Sequence, residues 1–122
     1  MVTTRGLGDD GEARAWAHLQ RHGATLVRRN YQVARGPRSR GGEIDLIVRE
    51  PDGTLVFVEV RLRKSAAWGG AAASVTPAKQ RSLMLAAQHF LQSFASPPPC
   101  RFDVVAIDGE RIEWLKAAFD AG

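Results

Sequence analysis

The stretches Gly42-Glu43-Ile44-Asp45-Leu46-Ile47 and Val56-Phe57-Val58-Glu59-Val60-Arg61 put acids inside runs that otherwise read as core strands. Burying an unpaired carboxylate is costly, so acids in such places are paired, protonated or bound to a metal ion. Successive side chains of a strand point to opposite faces. On that alternation Glu43, Asp45 and Ile47 share one face of the first stretch, and Ile44, Leu46 and Val48 share the other. In the second stretch Val56, Val58, Val60 and Leu62 line one face, and Phe57, Glu59, Arg61 and Arg63 line its opposite. If the two strands are neighbours, Asp45 and Glu59 converge on one point beside Arg61. Two carboxylates and a cation on a rigid sheet suggest a divalent-metal site.

Pro51-Asp52-Gly53 between the two stretches marks a tight turn, which predicts a hairpin with strands at about 43–49 and 54–63. Upstream, Asp9 to His22 reads as a helix, capped by Asp9 or Asp10 and stopped by Gly23. Ala24 to Ala34 looks extended, and Arg35 to Gly42 is a loop by composition. Downstream, Lys64 to Ser74 is small and glycine-containing, with Trp68 in its middle, and is expected to be a mobile loop. A second helix is predicted from Pro77 to about Phe94, with Thr76 as N-cap and Leu83, Ala86, Ala87, Phe90, Leu91 and Phe94 facing the sheet. That phase puts Lys79 near the inward side at the first turn. Arg101 to Ile107 is another strand, and Arg111 to Leu115 can add an edge strand that offers a route to a homodimer.

A chain of 122 residues with 44% apolar and 25% charged residues has the make-up of an ordinary soluble globular protein. A single domain is expected. No apolar run approaches the roughly 20 residues of a spanning helix, and Met1 to Gly6 lacks the apolar segment of a secretory signal. Cys100 stands alone, which rules out an intrachain disulfide and a cysteine-rich zinc site. These features fit a cytoplasmic protein with no membrane partner. The net charge is +4, and all of the excess falls in residues 28–64, which carry nine basic and five acidic groups. The partner this implies is a polyanion, nucleic acid above all, although a solvated basic face would look the same.

The order helix, strand, strand, strand, helix, strand, with Asp45 14 positions before Glu59-Val60-Arg61, resembles the PD-(D/E)xK nuclease superfamily. More closely, the chain resembles the YraN-like family of predicted endonucleases, relatives of archaeal Holliday-junction resolvases. The matching stretches are Gly8-x-x-Gly11-Glu12-x-x-Ala15, Gly42 to Ile47, Phe57-Val58-Glu59-Val60 with Arg63, Gly69 or Gly70, Val75 with Lys79, and Arg101-Phe102-Asp103-Val104-Val105. They run from about Gly8 to Ile107. The resemblance implies an α/β, restriction-endonuclease-like core with a mixed central sheet flanked by helices. It implies hydrolysis of phosphodiester bonds in DNA, with branched or junction DNA as candidate substrates. It makes Asp45 and Glu59 ligands for Mg²⁺, with Mn²⁺ as a substitute, and lets Glu12 complete the metal shell.

This chain departs from the pattern at one position, where Arg61 replaces the usual lysine. A lysine there can lose a proton and help to activate water, whereas an arginine stays charged and clamps phosphate. Three readings are open: Arg61 suffices as an electrostatic stabiliser, Lys79 supplies the ammonium from the neighbouring helix, or the chain binds nucleic acid without cleaving it. Lys64 is a poorer substitute, because strand parity points it to the other face. Arg35, Arg38 and Arg40 on the glycine-flanked loop, together with Arg63 and Lys64, are candidate phosphate contacts, and Trp68 could stack on an unpaired base. Each has a plain alternative: a solvated loop for the arginines and a packing anchor for Trp68. Read singly, Asp45 and Glu59 could be structural ion-pair partners of arginine, and Glu12 a first-turn acid favoured by the helix dipole. His18, His22 and His89 are expected in surface or packing roles, and Asp103 in a pair with an arginine.

Overall fold

The computed structural model describes residues 4–34, 41–62 and 75–120, with side chains from Asp10 onward. The elements are α1 (Thr4–Arg21), β1 (Thr25–Val33), β2 (Gly42–Arg49), β3 (Leu55–Leu62), α2 (Pro77–Leu91), β4 (Cys100–Asp108) and β5 (Arg111–Phe119). The strands form one mixed sheet in the order β1-β2-β3-β4-β5. β3 and β4, joined across α2, run parallel, and every other neighbouring pair is antiparallel. Parallel strands need a long crossover, and α2 supplies it. No described helix is long and apolar enough to cross a membrane.

The helices lie on opposite faces of the sheet. Ala15 and Leu19 of α1 are buried with Leu46, Val48, Val56, Val58, Val105 and Ile107. On the other face Leu83, Ala86 and Ala87 of α2 are buried with Ile44, Ile47, Leu55, Phe57, Phe102 and Val104. Covering both faces explains why the central strands are buried almost throughout, while the edge strands β1 and β5 are exposed or half-buried at every position.

Local sequence accounts for most of the boundaries. Gly23, at φ 94°, ends α1 with the Gly23 N–H donating to the Gln20 carbonyl at 3.0 Å. Thr76 caps α2 by accepting the Lys79 N–H at 3.2 Å, with Pro77 in the first turn. In the β2–β3 turn the Thr54 N–H donates to Asp52 Oδ1 at 2.9 Å, and Gly53 takes φ 93°. Three expectations shift. α1 starts at Thr4, so Asp9 and Asp10 lie inside it and do not cap it. α2 ends at Leu91, short of Phe94, which still packs against the core. β5 runs on to Phe119, past the expected Leu115.

The expected face assignment in β2 fails at one residue. Ile44 packs on the α2 side with Ile47, while Leu46 and Val48 pack on the α1 side. Strict alternation cannot put Ile44 and Ile47 on one face, so the pleat is broken between them, at Asp45. β1 keeps one register across this point, with Arg29 opposite Leu46 and Tyr31 opposite Ile44, and Asn30 between them takes φ 51°. β3 behaves as its alternation predicts, with Val56, Val58 and Val60 on the α1 side and Phe57 on the α2 side.

At Gly42 the backbones of β2 and α2 approach closely. A Cβ there would meet the Ala86 nitrogen and the Ser82 carbonyl oxygen, both at 2.6 Å. Backbone atoms of a packed helix cannot step aside, so Gly42→Ala is expected to cost about 1–3 kcal/mol. A urea denaturation midpoint equal to that of the parent chain would contradict this close approach.

Candidate functional site

The hairpin opens where its two acids meet. β2 pairs with β3 from Arg49↔Leu55 to Leu46↔Val58, and the described register goes no further. Beyond that point the Val60 N–H donates to Asp45 Oδ2 at 2.9 Å, so the Asp45 carboxylate replaces a carbonyl in satisfying this amide. The broken pleat and the open ladder together leave Asp45 at a gap between two strands that are firmly paired below it.

Glu59 is 2% exposed, and its carboxyl hydrogen-bonds with that of Asp45. Burial first, and then the Asp45 carboxyl by hydrogen bond and charge, push its pKa up to about 8, against the pull of Lys79 and Arg61. Near neutral pH the Glu59 carboxyl therefore keeps its proton. The cations stand at some distance: Lys79 Nζ is 3.5 Å and Arg61 Nη1 3.8 Å from Glu59 Oε2. Both exceed the roughly 2.7–2.9 Å of a charge-assisted hydrogen bond. Glu12 of α1 lines a cavity of about 300 Å³ with Asp45, Val60, Arg61 and Leu62. Lys79 opens onto a larger cavity of about 760 Å³, with Arg81, Ser82 and Gly41 in its walls.

The structure thus brings together five of the sequence-chosen residues: Asp45 from β2, Glu59 and Arg61 from β3, Lys79 from α2 and Glu12 from α1. Arg35, Arg38, Arg40, Arg63, Lys64 and Trp68 lie outside the described residues. Among the described residues no group of three or more His, Cys, Asp or Glu side chains forms a ready-made metal shell. The groups that could hold a divalent cation are Asp45 and Glu59, with Glu12 on the cavity that Asp45 lines. A buried Glu59 that keeps its proton at neutral pH beside a second carboxyl is a donor set that a hard cation would relieve.

A second carboxylate cluster is structural. Asp103 of β4 is fully buried and accepts from Arg101 Nε at 2.9 Å, Trp114 Nε1 at 2.8 Å and the Ala117 N–H at 2.9 Å. Arg101 Nη1 also donates to Glu50 Oε2 at 2.8 Å, which holds the Glu50 carboxyl below the usual range. The expected Asp103–arginine pair is present. Its tie to Trp114 and to the irregular end of β5 was not foreseen, because the Ala117 bulge at φ 51° leaves no trace in composition. The His18 and His22 rings lie 4.6 Å apart, edge-on to Trp114, in the packing role expected of them. Burial, and then the neighbouring His22 and Arg21, lower the His18 pKa. His89 bonds Tyr31 Oη at 2.5 Å, between β1 and α2.

Residues 11–107 match the family model described as uncharacterised protein family UPF0102. A UPF0102 protein from Methylibium petroleiphilum is 65% identical over 99% of both chains. One from Cupriavidus pinatubonensis is 61% identical over 97% of this chain and 88% of its own. One from an Acidovorax species is 59% identical over 98% and 88%. The matched region takes in Glu12, Asp45, Glu59, Arg61 and Lys79, and the chain belongs to the UPF0102 family.

Proposed function

We propose that this protein is a metal-dependent endonuclease that hydrolyses phosphodiester bonds in DNA, with branched or junction DNA as the leading substrate class. The observation that carries this reading is the acid pair: Asp45 and Glu59 in hydrogen-bonding contact at an opening between strands, with Glu59 buried and held only loosely by its cations. A pair kept for stability would be tied as Asp103 is, at 2.8–2.9 Å to each of several donors. A buried acid kept against its desolvation cost beside a second carboxyl weakens the fold and fits a cation site. The resemblance to PD-(D/E)xK nucleases points the same way.

Asp45 and Glu59 would hold Mg²⁺ or Mn²⁺, with Glu12 on the cavity beside Asp45. Such an ion, when bound, neutralises phosphate charge and makes water a better nucleophile for in-line attack. The chain's own residues do the rest. Arg61, 38% exposed on the cavity wall, clamps phosphate oxygens. Lys79 approaches Glu59 from the other side and brings the ammonium that the strand position lacks. The Val60 amide fixes the orientation of the Asp45 carboxylate, so the pair is preorganised before substrate arrives.

The replacement of lysine by Arg61 favours a second reading, a nuclease-fold domain that binds nucleic acid without cutting it. Incubation of supercoiled plasmid and four-way-junction DNA with Mg²⁺, Mn²⁺ or EDTA separates the two. The expected outcome is cleavage with either ion and none in EDTA. Tight binding with no cleavage under any ion would leave only the second reading. Where cleavage occurs, Lys79→Ala and Arg61→Ala are each expected to slow it by about 10²-fold, the usual loss on deleting one charge-stabilising group. A rate unchanged in Lys79→Ala would assign the role to Arg61 alone.

A further inference from the structure

The acid site has a neighbour on the edge strand. Pairing of β1 with β2 slips between Leu26 and Arg28, so that Arg28 stands opposite Ile47 and Arg29 opposite Leu46. Ile47 packs on the α2 side and Leu46 on the α1 side, so the two arginines part to opposite faces. Arg28 lies over the Tyr31 ring, 5.5 Å from its centre. Arg29 turns to the α1 side, where its Nη2 is 4.0 Å from Glu12 Oε2. The next residue, Asn30, takes φ 51° between the pairs Arg29–Leu46 and Tyr31–Ile44, where β2 presents Asp45.

The Arg29–Glu12 contact is too long for a hydrogen bond, and 39% of the arginine side chain faces solvent. Glu12 is buried, so the arginine is the partner with freedom to turn outward to another anion. Glu12 in turn lines the cavity with Asp45 and Arg61. The cavity thus has a guanidinium approaching it from β1 and another from β3, with carboxylates between. A guanidinium pair around a cation-seeking acid site fits an extended anion with several negative groups, one drawn to the cation that the acids would hold and others meeting the arginines.

We infer that Arg29 forms a phosphate subsite on the α1 side of the sheet edge, gripping a backbone phosphate next to the one that reaches Asp45 and Glu59. The inference rests on nucleic acid being the substrate, but not on its being cut. The nucleic-acid backbone crosses the opened end of the hairpin, from Arg61 on β3 to Arg29 on β1. Arg29 touches substrate and binds it, and it takes no part in bond breaking.

The test is fluorescence anisotropy with labelled duplex and four-way-junction DNA, in EDTA so that nothing is hydrolysed, over a range of salt. Arg29→Ala is expected to raise Kd several-fold for both DNAs and to reduce the log–log salt slope by about 1. Arg29→Lys should recover most of the slope and part of the affinity. Arg29→Gln, which keeps the long polar stem, serves if alanine lowers the melting temperature. With Mg²⁺ present, KM should rise while kcat stays within about twofold. Unchanged affinity and slope in Arg29→Ala would overturn the inference. So would a fall in kcat at constant affinity, which would make Arg29 a support for Glu12 instead. A parent chain that binds DNA but never cuts it would refute the hydrolase reading and leave this subsite standing.

Discussion

Glu59→Gln is expected to abolish metal-dependent cleavage, by about three orders of magnitude or more, while leaving DNA affinity in EDTA within a few-fold of the parent. The glutamine keeps the shape and hydrogen-bonding capacity of the protonated acid and discards only the charge that a cation needs. Asp45→Asn should behave alike, since its amide oxygen can still accept the Val60 N–H. Measurable cleavage at a tenth of the parent rate in either variant would remove the acid pair from the mechanism.

Stability should move the other way. The Glu59 pKa is raised from 4.5 to about 8, so the folded chain keeps a proton that the unfolded chain releases. Stability of the metal-free protein is then full below about pH 4.5, falls as pH rises toward 8, and levels off above it. The unfolded state binds fewer protons than the folded state across that window, which makes the slope negative. Glu59→Gln has no proton to lose and should lack this decline, ending more stable than the parent at pH 8 by an amount on the order of a few kcal/mol. Denaturant titrations of both proteins at pH 5 and pH 8 read the difference directly, and comparison cancels the other titrating groups. Mg²⁺ should restore part of the parent's loss at pH 8 by mass action. A substitution that removes activity yet raises stability marks a residue kept for function at a cost to the fold.

Asp103→Ala should produce the largest loss of stability, about 3–5 kcal/mol, out of the roughly 5–15 kcal/mol typical of a domain. The change leaves Trp114 Nε1, the Ala117 N–H and one edge of the Arg101 guanidinium without their acceptor inside the fold. It also leaves Arg101 tied to Glu50 alone among these carboxylates. Asp103→Asn retains an oxygen for one donor and should cost less. A loss under 1 kcal/mol in the alanine variant, read from urea denaturation, would show that water or a shifted neighbour satisfies the same donors. The contrast with Glu59 separates two kinds of buried acid: one saturated with short bonds, the other poised.

Much of this was legible along the chain because the relevant signals are local. Glycine at 23 and 53, the Thr76-Pro77 pair and the two-sided apolar runs each act within a few residues, so they define element ends and strand burial without knowledge of the rest. Asp45 and Glu59 meet because a hairpin turn places them so, and a turn is also a local signal. What depended on distant partners was hidden. Ile44 changes face because the pleat breaks at Asp45, across from an Asn30 whose backbone takes φ 51°. Arg29 reaches Glu12 only through a slip in the β1–β2 pairing, and Asp103 meets Trp114 only across β4 and β5. Bulges and register are settled by how whole strands and helices pack against one another, and a side chain's surroundings, including the charge it can carry, follow from that packing alone.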